Sequence, residues 1–304
     1  MTSARLNDLF SNSKRTLFVP LTFKLSMALE QITWGELVTD PNLASFAIRA
    51  TGDLFKVDAL VNWFDEWMEA ESFGVVVQRG DLGEGELADV DYSNRDVTET
   101  VVSGMPCQHV LDVTKRLCTE VGPNTAVLGY LTGGATLLAR LYGSDESRLI
   151  LQEIDDGKLS SNRAEQMEVV IKASIDMVNA YCERGVGGIL IVEHDPLETY
   201  AHLDLFAPLF NVCSYFGVPT LLLTRSVIPT ETVKALKKLG ISQVIGSENQ
   251  VGRAHVITET ELRDRKSSFT ADAQTNEIVF TEWDLPVDTD PAALTEHRTT
   301  LIGP

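Results

Sequence analysis

The chain has 304 residues, 44% of them hydrophobic, and a formal net charge of −19. That charge repels nucleic acid phosphates and anionic membrane surfaces, and no basic stripe interrupts it, so neither is expected as a partner. No run approaches the ~20 apolar residues of a membrane span, and residues 1–8 lack the charged-then-apolar pattern of a signal peptide. The expectation is a soluble cytoplasmic protein. Cys107, Cys118, Cys182 and Cys213 are widely spaced, with no CxxC pair, and read as buried thiols.

Short β-branched runs alternate with longer amphipathic stretches, the pattern of βα units on a parallel sheet. In chain order, strands are predicted at 16–22, 59–64, 74–78, 125–131, 188–193, 220–224, 242–246 and 277–281. This count fits one (β/α)8 barrel over residues 1–304 better than an open sheet with a second domain. A helix is predicted over 165–184, with Met167, Val170, Ile171, Ile175 and Val178 at helical spacing before Arg184-Gly185. Another, 230–239, opens after Pro229 and closes on Lys237, Lys238 and Gly240. Residues 80–104 are polar, acidic and glycine-bearing, and read as a long loop or lid.

Two strand ends carry ionisable groups. The run Ala59 to Phe64 ends at Asp65, and an acidic segment then closes on Gly74. A buried parallel strand delivers a carboxylate in this way to the carboxyl end of a sheet, where such barrels keep their chemistry. The run 188–192 leads into Glu193-His194-Asp195. Alternation sends neighbouring side chains to opposite faces, so not all three face one cavity, and Asp195, before Pro196, reads as a turn or cap residue. Gly133-Gly134 permits close backbone approach, or simply a tight turn.

Four stretches taken in order resemble the uroporphyrinogen decarboxylase superfamily, which includes porphyrinogen decarboxylases and corrinoid-linked methyltransferases. They are Ala28 to Glu36 with Asp40-Pro41; Asp58, Asp65 and Gly74 at their spacing; Leu128 to Leu137, with Gly134-Ala135 replacing the usual Pro-aromatic pair; and Leu285 to Pro291. The resemblance covers most of the chain and implies a (β/α)8 barrel. The decarboxylases grip substrate carboxylates with an arginine-rich loop after the first strand. Here Phe23 to Met27 holds only Lys24, and the positions of the family's Tyr and His read Arg140 and Glu282. Arg140 itself reads as a solvated or internally paired helix residue. Thiol-activating methyltransferases hold zinc with a His-x-Cys on the sixth strand and a Cys after the eighth. Those positions read Leu223-Thr224-Arg225 and Trp283, so zinc at the family site is not expected.

The resemblance therefore implies a demethylase-type methyltransferase. It would move a methyl group between a small methylated donor or acceptor and a corrinoid (cobalamin) on a partner protein, or tetrahydrofolate. Asp65 is expected as acid/base or substrate anchor, Glu193 or His194 as the second polar group, and Glu282 as a further acid. Arg225 either clamps an anion or pairs with Glu193 or Glu282. Trp283, Tyr130 and Trp63 are expected at the substrate pocket, with packing as the ordinary alternative for the tryptophans. The competing readings are a decarboxylase of a small acid or tetrapyrrole, and a non-catalytic barrel that binds a corrinoid or a partner protein. A homodimer is the oligomer the resemblance allows.

Overall fold

In a computed structural model of the chain, the residues described are 4–13, 16–80, 90–91, 100–195, 200–226, 228–246, 254–265 and 278–302. Eight parallel strands among them carry the fold: β1 (Leu17–Val19), β2 (Ala59–Val61), β3 (Ala126–Thr132), β4 (Gly188–Glu193), β5 (Thr220–Thr224), β6 (Ile241–Gly246), β7 (Ala254–Ile257) and β8 (Ile278–Thr281). One arc runs β2-β3-β4-β5-β6 and the other β1-β8-β7, every pairing parallel. Helices lie between successive strands, apart from β6 and β7 among the described residues, and cover the outside in the manner of a (β/α)8 barrel. Covered on both faces, β3, β4 and β5 are buried at every position, which explains their near-continuous apolar runs.

At the seam between β1 and β2, the Asp58 amide donates to the Phe18 carbonyl at 2.9 Å. The Asp58 carboxylate in turn accepts the Phe18 amide at 2.8 Å. A side chain thus completes the pairing between the two arcs. Asn62 acts similarly further along: its Oδ1 accepts the Tyr130 amide at 2.7 Å, and its Nδ2 donates to Thr114 Oγ1 at 2.6 Å. With Asn62 replacing a ladder partner, β2 stops at Val61 rather than at Phe64, and the chain turns Phe64 and Asp65 toward the mouth.

One predicted strand lies outside the barrel. In 74–78 only Val76–Val77 is extended; it pairs antiparallel with Val90–Asp91, and Val76 is half exposed, unlike a strand buried between two layers. Its place is taken by β7, four residues too short to show a period. Gly188–Glu193 and Thr220–Thr224 are consequently the fourth and fifth barrel strands, not the fifth and sixth. Of the long loop predicted at 80–104, residues 81–89 and 92–99 lie outside the described residues. The predicted helices are present as Ser161–Glu183 and Thr230–Leu239, the latter ending on Gly240 at φ +113°. All four cysteines are buried thiols, and among the described residues no helix is long and apolar enough to cross a membrane.

Two buried carboxylates fix the C-terminal end of β3. Glu69, in the short helix Met68–Ser72, accepts the Thr132 amide at 3.0 Å and its hydroxyl at 2.5 Å. Glu193, at the end of β4, accepts the amides of Ala135 and Thr136 at 3.2 and 3.0 Å and the Thr136 hydroxyl at 2.8 Å. These amides are first-turn donors of the helix Gly134–Tyr142, which have no partner within the helix, and a negative charge there also suits the macrodipole. His202 Nε2 faces the same carboxylate at 3.4 Å. A Cβ on Gly133 would come within 2.2 Å of Glu193 Cδ, so the glycine leaves room for this carboxylate.

Asp58→Ala is expected to lower unfolding free energy in urea by about 1–3 kcal/mol, because the buried Phe18 amide loses its acceptor; an unchanged midpoint would contradict the seam. Burial pushes the Glu69 carboxyl up to about 7 against the hydrogen bonds from Thr132. Between the ordinary carboxylate range and that value, folded Glu69 keeps a proton that unfolded Glu69 has lost, so its contribution to stability falls as pH rises. Glu69→Gln should therefore remove a loss of roughly 2–3 kcal/mol between about pH 5 and pH 8. Parallel stability curves for the two proteins would rule this out.

Candidate active site

A cleft of about 370 Å³ opens at the C-terminal ends of the strands, the face on which barrel enzymes place their active sites. Phe64, Asp65, Glu66 and Trp67 enter it after β2, His194 and Asp195 after β4, Arg225 after β5, and Trp283 with Asp284 after β8. Lys24, Arg79 and Arg140 add cations, so a strongly acidic chain presents four basic side chains at one mouth. Asp284, just after the neighbouring strand β8, also caps the helix Phe23–Glu30, accepting the Phe23 amide at 2.7 Å and the Lys24 amide at 3.1 Å. That cap holds Lys24 at the rim.

Each of two arginines gathers two carboxylates. Arg79 donates to Asp65 Oδ1 at 2.8 Å and to Glu71 Oε2 at 2.6 Å, with its guanidinium 4.6 Å from the centre of the Trp34 ring. Asp65 also accepts the Trp67 amide at 3.2 Å, an Asx-type turn that fixes its direction. Burial pushes Glu71 up to about 7 even though Arg79 pulls the other way, with the charge of Asp65 adding to the rise. Arg140 pairs with Glu66, and with Asp195 at 3.0 Å, and lies 5.0 Å from the centre of the Trp67 ring. Such paired, ring-backed guanidiniums are directional and pre-organised.

His194 stands between these pairs. Its Nε2 is 2.9 Å from the Tyr130 hydroxyl, its Nδ1 3.5 Å from Glu66 Oε2, and its backbone amide donates to Thr136 Oγ1 at 2.9 Å. Trp283 and Phe64 pack against the ring, at 4.9 and 5.5 Å between centroids. Burial holds the imidazole well below its ordinary range, and the charges of Arg140, Arg225 and Lys24 push in the same direction. The ring is therefore neutral near pH 7, able to give or take a proton according to which nitrogen carries it.

Asp65, His194, Arg225 and Trp283 thus meet at one cleft. Arg225 lies over the Trp283 ring at 4.2 Å, and Glu193 is fully engaged by Ala135, Thr136 and His202. Glu193 turns away from the cleft, as alternation demands of the neighbour of His194. Tyr130 is fully buried beneath His194 rather than exposed to a substrate. Trp63 packs on Phe23, Trp34 and His109 and lines a separate cleft of about 180 Å³, while Phe64, one residue on, faces the main one. Glu282 does not line the main cleft; its amide donates to the Ile257 carbonyl at 2.8 Å. Arg79, Glu66, Phe64 and Asp284 were not singled out from sequence. Arg79 had one usable signal, a lone cation two residues after the apolar run Val75 to Val77 in an acidic region. Among the described residues, no group of three or more His, Cys, Asp or Glu side chains is placed to hold a metal ion.

No curated protein matches the chain. Among solved structures, a methyltransferase from Methanosarcina mazei aligns with a TM-score of 0.66 over 96% of this chain and 95% of its own, at 15% identity. That likeness shows a shared fold. The model of the family described as uroporphyrinogen decarboxylase (URO-D) matches residues 21–203, which include β2, β3, β4 and the acidic turn after β2. The chain belongs to the uroporphyrinogen decarboxylase family.

Proposed function

We propose that this cleft serves transfer of a methyl group between a small methylated substrate and a corrinoid on a separate protein, or tetrahydrofolate. The observation that supports this most is a neutral histidine at an aromatic-walled, cation-bearing cleft on the catalytic face of the barrel. When a methyl–oxygen bond breaks, the departing oxygen needs a proton, and His194 is the group best placed to hold one there. Trp283, Phe64, Trp34 and Trp67 supply flat apolar walls. Arg225, fixed on Trp283, and Lys24 suit an anionic group on the substrate. Asp65, oriented by Arg79 and the Trp67 amide, is the polar anchor opposite them.

The corrinoid would supply the centre that accepts or donates the methyl group. At about 370 Å³ the cleft takes a small substrate, and a corrin ring meets only its mouth. At Leu223, Arg225 and Trp283 zinc of the His-Cys-Cys kind is not expected, because Leu223 is a buried hydrocarbon and Arg225 and Trp283 offer no lone pair for a metal. With Thr220–Thr224 the fifth barrel strand, this holds for these positions and not for a sixth strand. The four cations also favour a second reading, decarboxylation of a small acid, in which Arg225 and Lys24 bind the carboxylate.

Purified protein mixed anaerobically with cob(I)alamin or methylcobalamin and with aryl ethers, methylamines, thioethers or methyltetrahydrofolate should change the corrin absorbance with at least one of them. His194→Asn should slow that change by about 10²-fold. No change with any of them, together with CO₂ release from a carboxylated substrate that is lost in Asp65→Asn, would replace this reading with the second.

A further inference from the structure

Beneath His194 lies an unbroken file of hydrogen-bonding groups. His194 Nε2 is 2.9 Å from the Tyr130 hydroxyl, which is 3.3 Å from Thr132 Oγ1, which is 2.5 Å from Glu69 Oε2. Tyr130, Thr132 and Glu69 are fully buried, and the Thr132 amide at 3.0 Å holds the carboxylate in line. Every member can both donate and accept, except that an ionised Glu69 only accepts. His194 is the end of the file that meets the cleft. Resting on the reading of His194 as the acid–base group of the cleft, we infer that Glu69 is its proton reservoir, exchanging protons with it through Thr132 and Tyr130.

With Glu69 ionised, Thr132 donates to it, Tyr130 donates to Thr132, and His194 carries its proton on Nε2 and donates to Tyr130. A proton arriving from the cleft at Nδ1 lets the Nε2 proton pass to Tyr130, the Tyr130 proton to Thr132 and the Thr132 proton to Glu69. The result is a neutral Glu69 and a neutral His194 protonated on Nδ1, toward Glu66. Reversed, the same sequence gives the Nδ1 proton to a departing oxygen and leaves the ring neutral. This answers a difficulty at the cleft, where Arg140, Arg225 and Lys24 disfavour an imidazolium. The charge change is moved to a carboxyl whose burial already lifts it to about 7. The distance from Tyr130 to Thr132 is the longest of the three, and the aromatic walls of Phe64 and Trp283 limit water beside the ring.

The charged groups facing His194 are Lys24 after β1, Glu66 after β2, Arg140 in the helix after β3, and Arg225 after β5. Those near Glu69 are Asp65, and Cys107 and Tyr181 from the helices Met105–Glu120 and Ser161–Glu183. Burial pushes Cys107 and Tyr181 well up, so neither loses a proton near neutrality. Glu71, also at about 7, belongs to the Arg79 pair and serves as the control.

The test is a pH titration of the full chain labelled with ¹⁵N, following the histidine side chains by long-range proton–nitrogen correlation, with His194 assigned through His194→Asn. As pH falls through about 7, the protonated nitrogen of His194 should change from Nε2 to Nδ1 while the ring stays neutral. Glu71→Gln and Thr132→Ser should keep this switch; Thr132→Val and Tyr130→Phe should abolish it. A tautomer fixed across the range, an imidazolium forming near pH 7, or a switch that survives in Thr132→Val would each overturn the relay. Should the variants fail to fold, the wild-type titration alone decides. Because this experiment reads no methyl transfer, a negative result removes the relay and leaves the role of His194 to the corrin assay.

Discussion

The mouth of the barrel depends on two carboxylates that have no access to solvent. Glu69 and Glu193 approach the junction of β3 with its following helix from opposite sides, one holding Thr132 and the other the first helical turn at Ala135 and Thr136. A parallel strand ends in donors and acceptors that its neighbours no longer satisfy, and leaving such groups unpaired in a core costs about 1–3 kcal/mol each. Side chains supply the partners here. Because Glu193 consumes the helix terminus, Gly133 serves an internal carboxylate, in the place where a helix N-terminus would otherwise offer itself to an external anion, while Gly134 leaves room for the Phe206 ring. Thr136, held by Glu193, in turn accepts the His194 amide, so the clamp sets the direction of the cleft histidine.

Charge at the cleft is organised rather than merely abundant. Arg79 and Arg140 each hold two carboxylates, and both lie against tryptophan rings. Removing either arginine would leave partly buried carboxylates facing each other, a heavier loss than a surface pair would give. These two clusters frame His194 and keep the polar groups of the cleft in fixed directions before any substrate arrives, the condition under which electrostatic stabilisation is most effective. The net charge of −19 therefore says little about the site itself, where four basic side chains, Lys24, Arg79, Arg140 and Arg225, meet four carboxylates, Asp65, Glu66, Asp195 and Asp284.

Much of this was legible in the sequence, and the exceptions share a cause. Asp65 was readable because a short apolar run that ends in Asp marks, in a parallel barrel, the carboxyl end of a buried strand. The runs of β3, β4 and β5 were readable because burial on both faces leaves almost no polar position. The four residues of β7 were too few to show a period, while Val75 to Val77 presented an equally apolar run that forms a partly exposed hairpin instead. Glu193 against His194, and Trp63 against Phe64, are each one-residue choices of face. Sequence alternation states that neighbours diverge without stating which one meets the cleft. The partnership of Arg79 with Asp65 and the cap that Asp284 places on Phe23–Glu30 are tertiary, spanning 14 and 261 residues, and no local pattern encodes them.

In the relay we infer, a protonatable carboxyl enclosed beneath the cleft, Glu69, links the stability of the barrel mouth to the protonation of His194. Difference infrared spectra of the full chain across about pH 5 to pH 9 test it directly, because a protonated carboxyl has a carbonyl stretch separate from the carboxylate bands. A carboxyl band that persists to neutral pH, disappears with a midpoint near 7, survives in Glu71→Gln and is lost when Glu69→Gln is added to Glu71→Gln is the predicted result. Loss of every carboxyl band by about pH 5.5, in the range of solvated side chains, would contradict it.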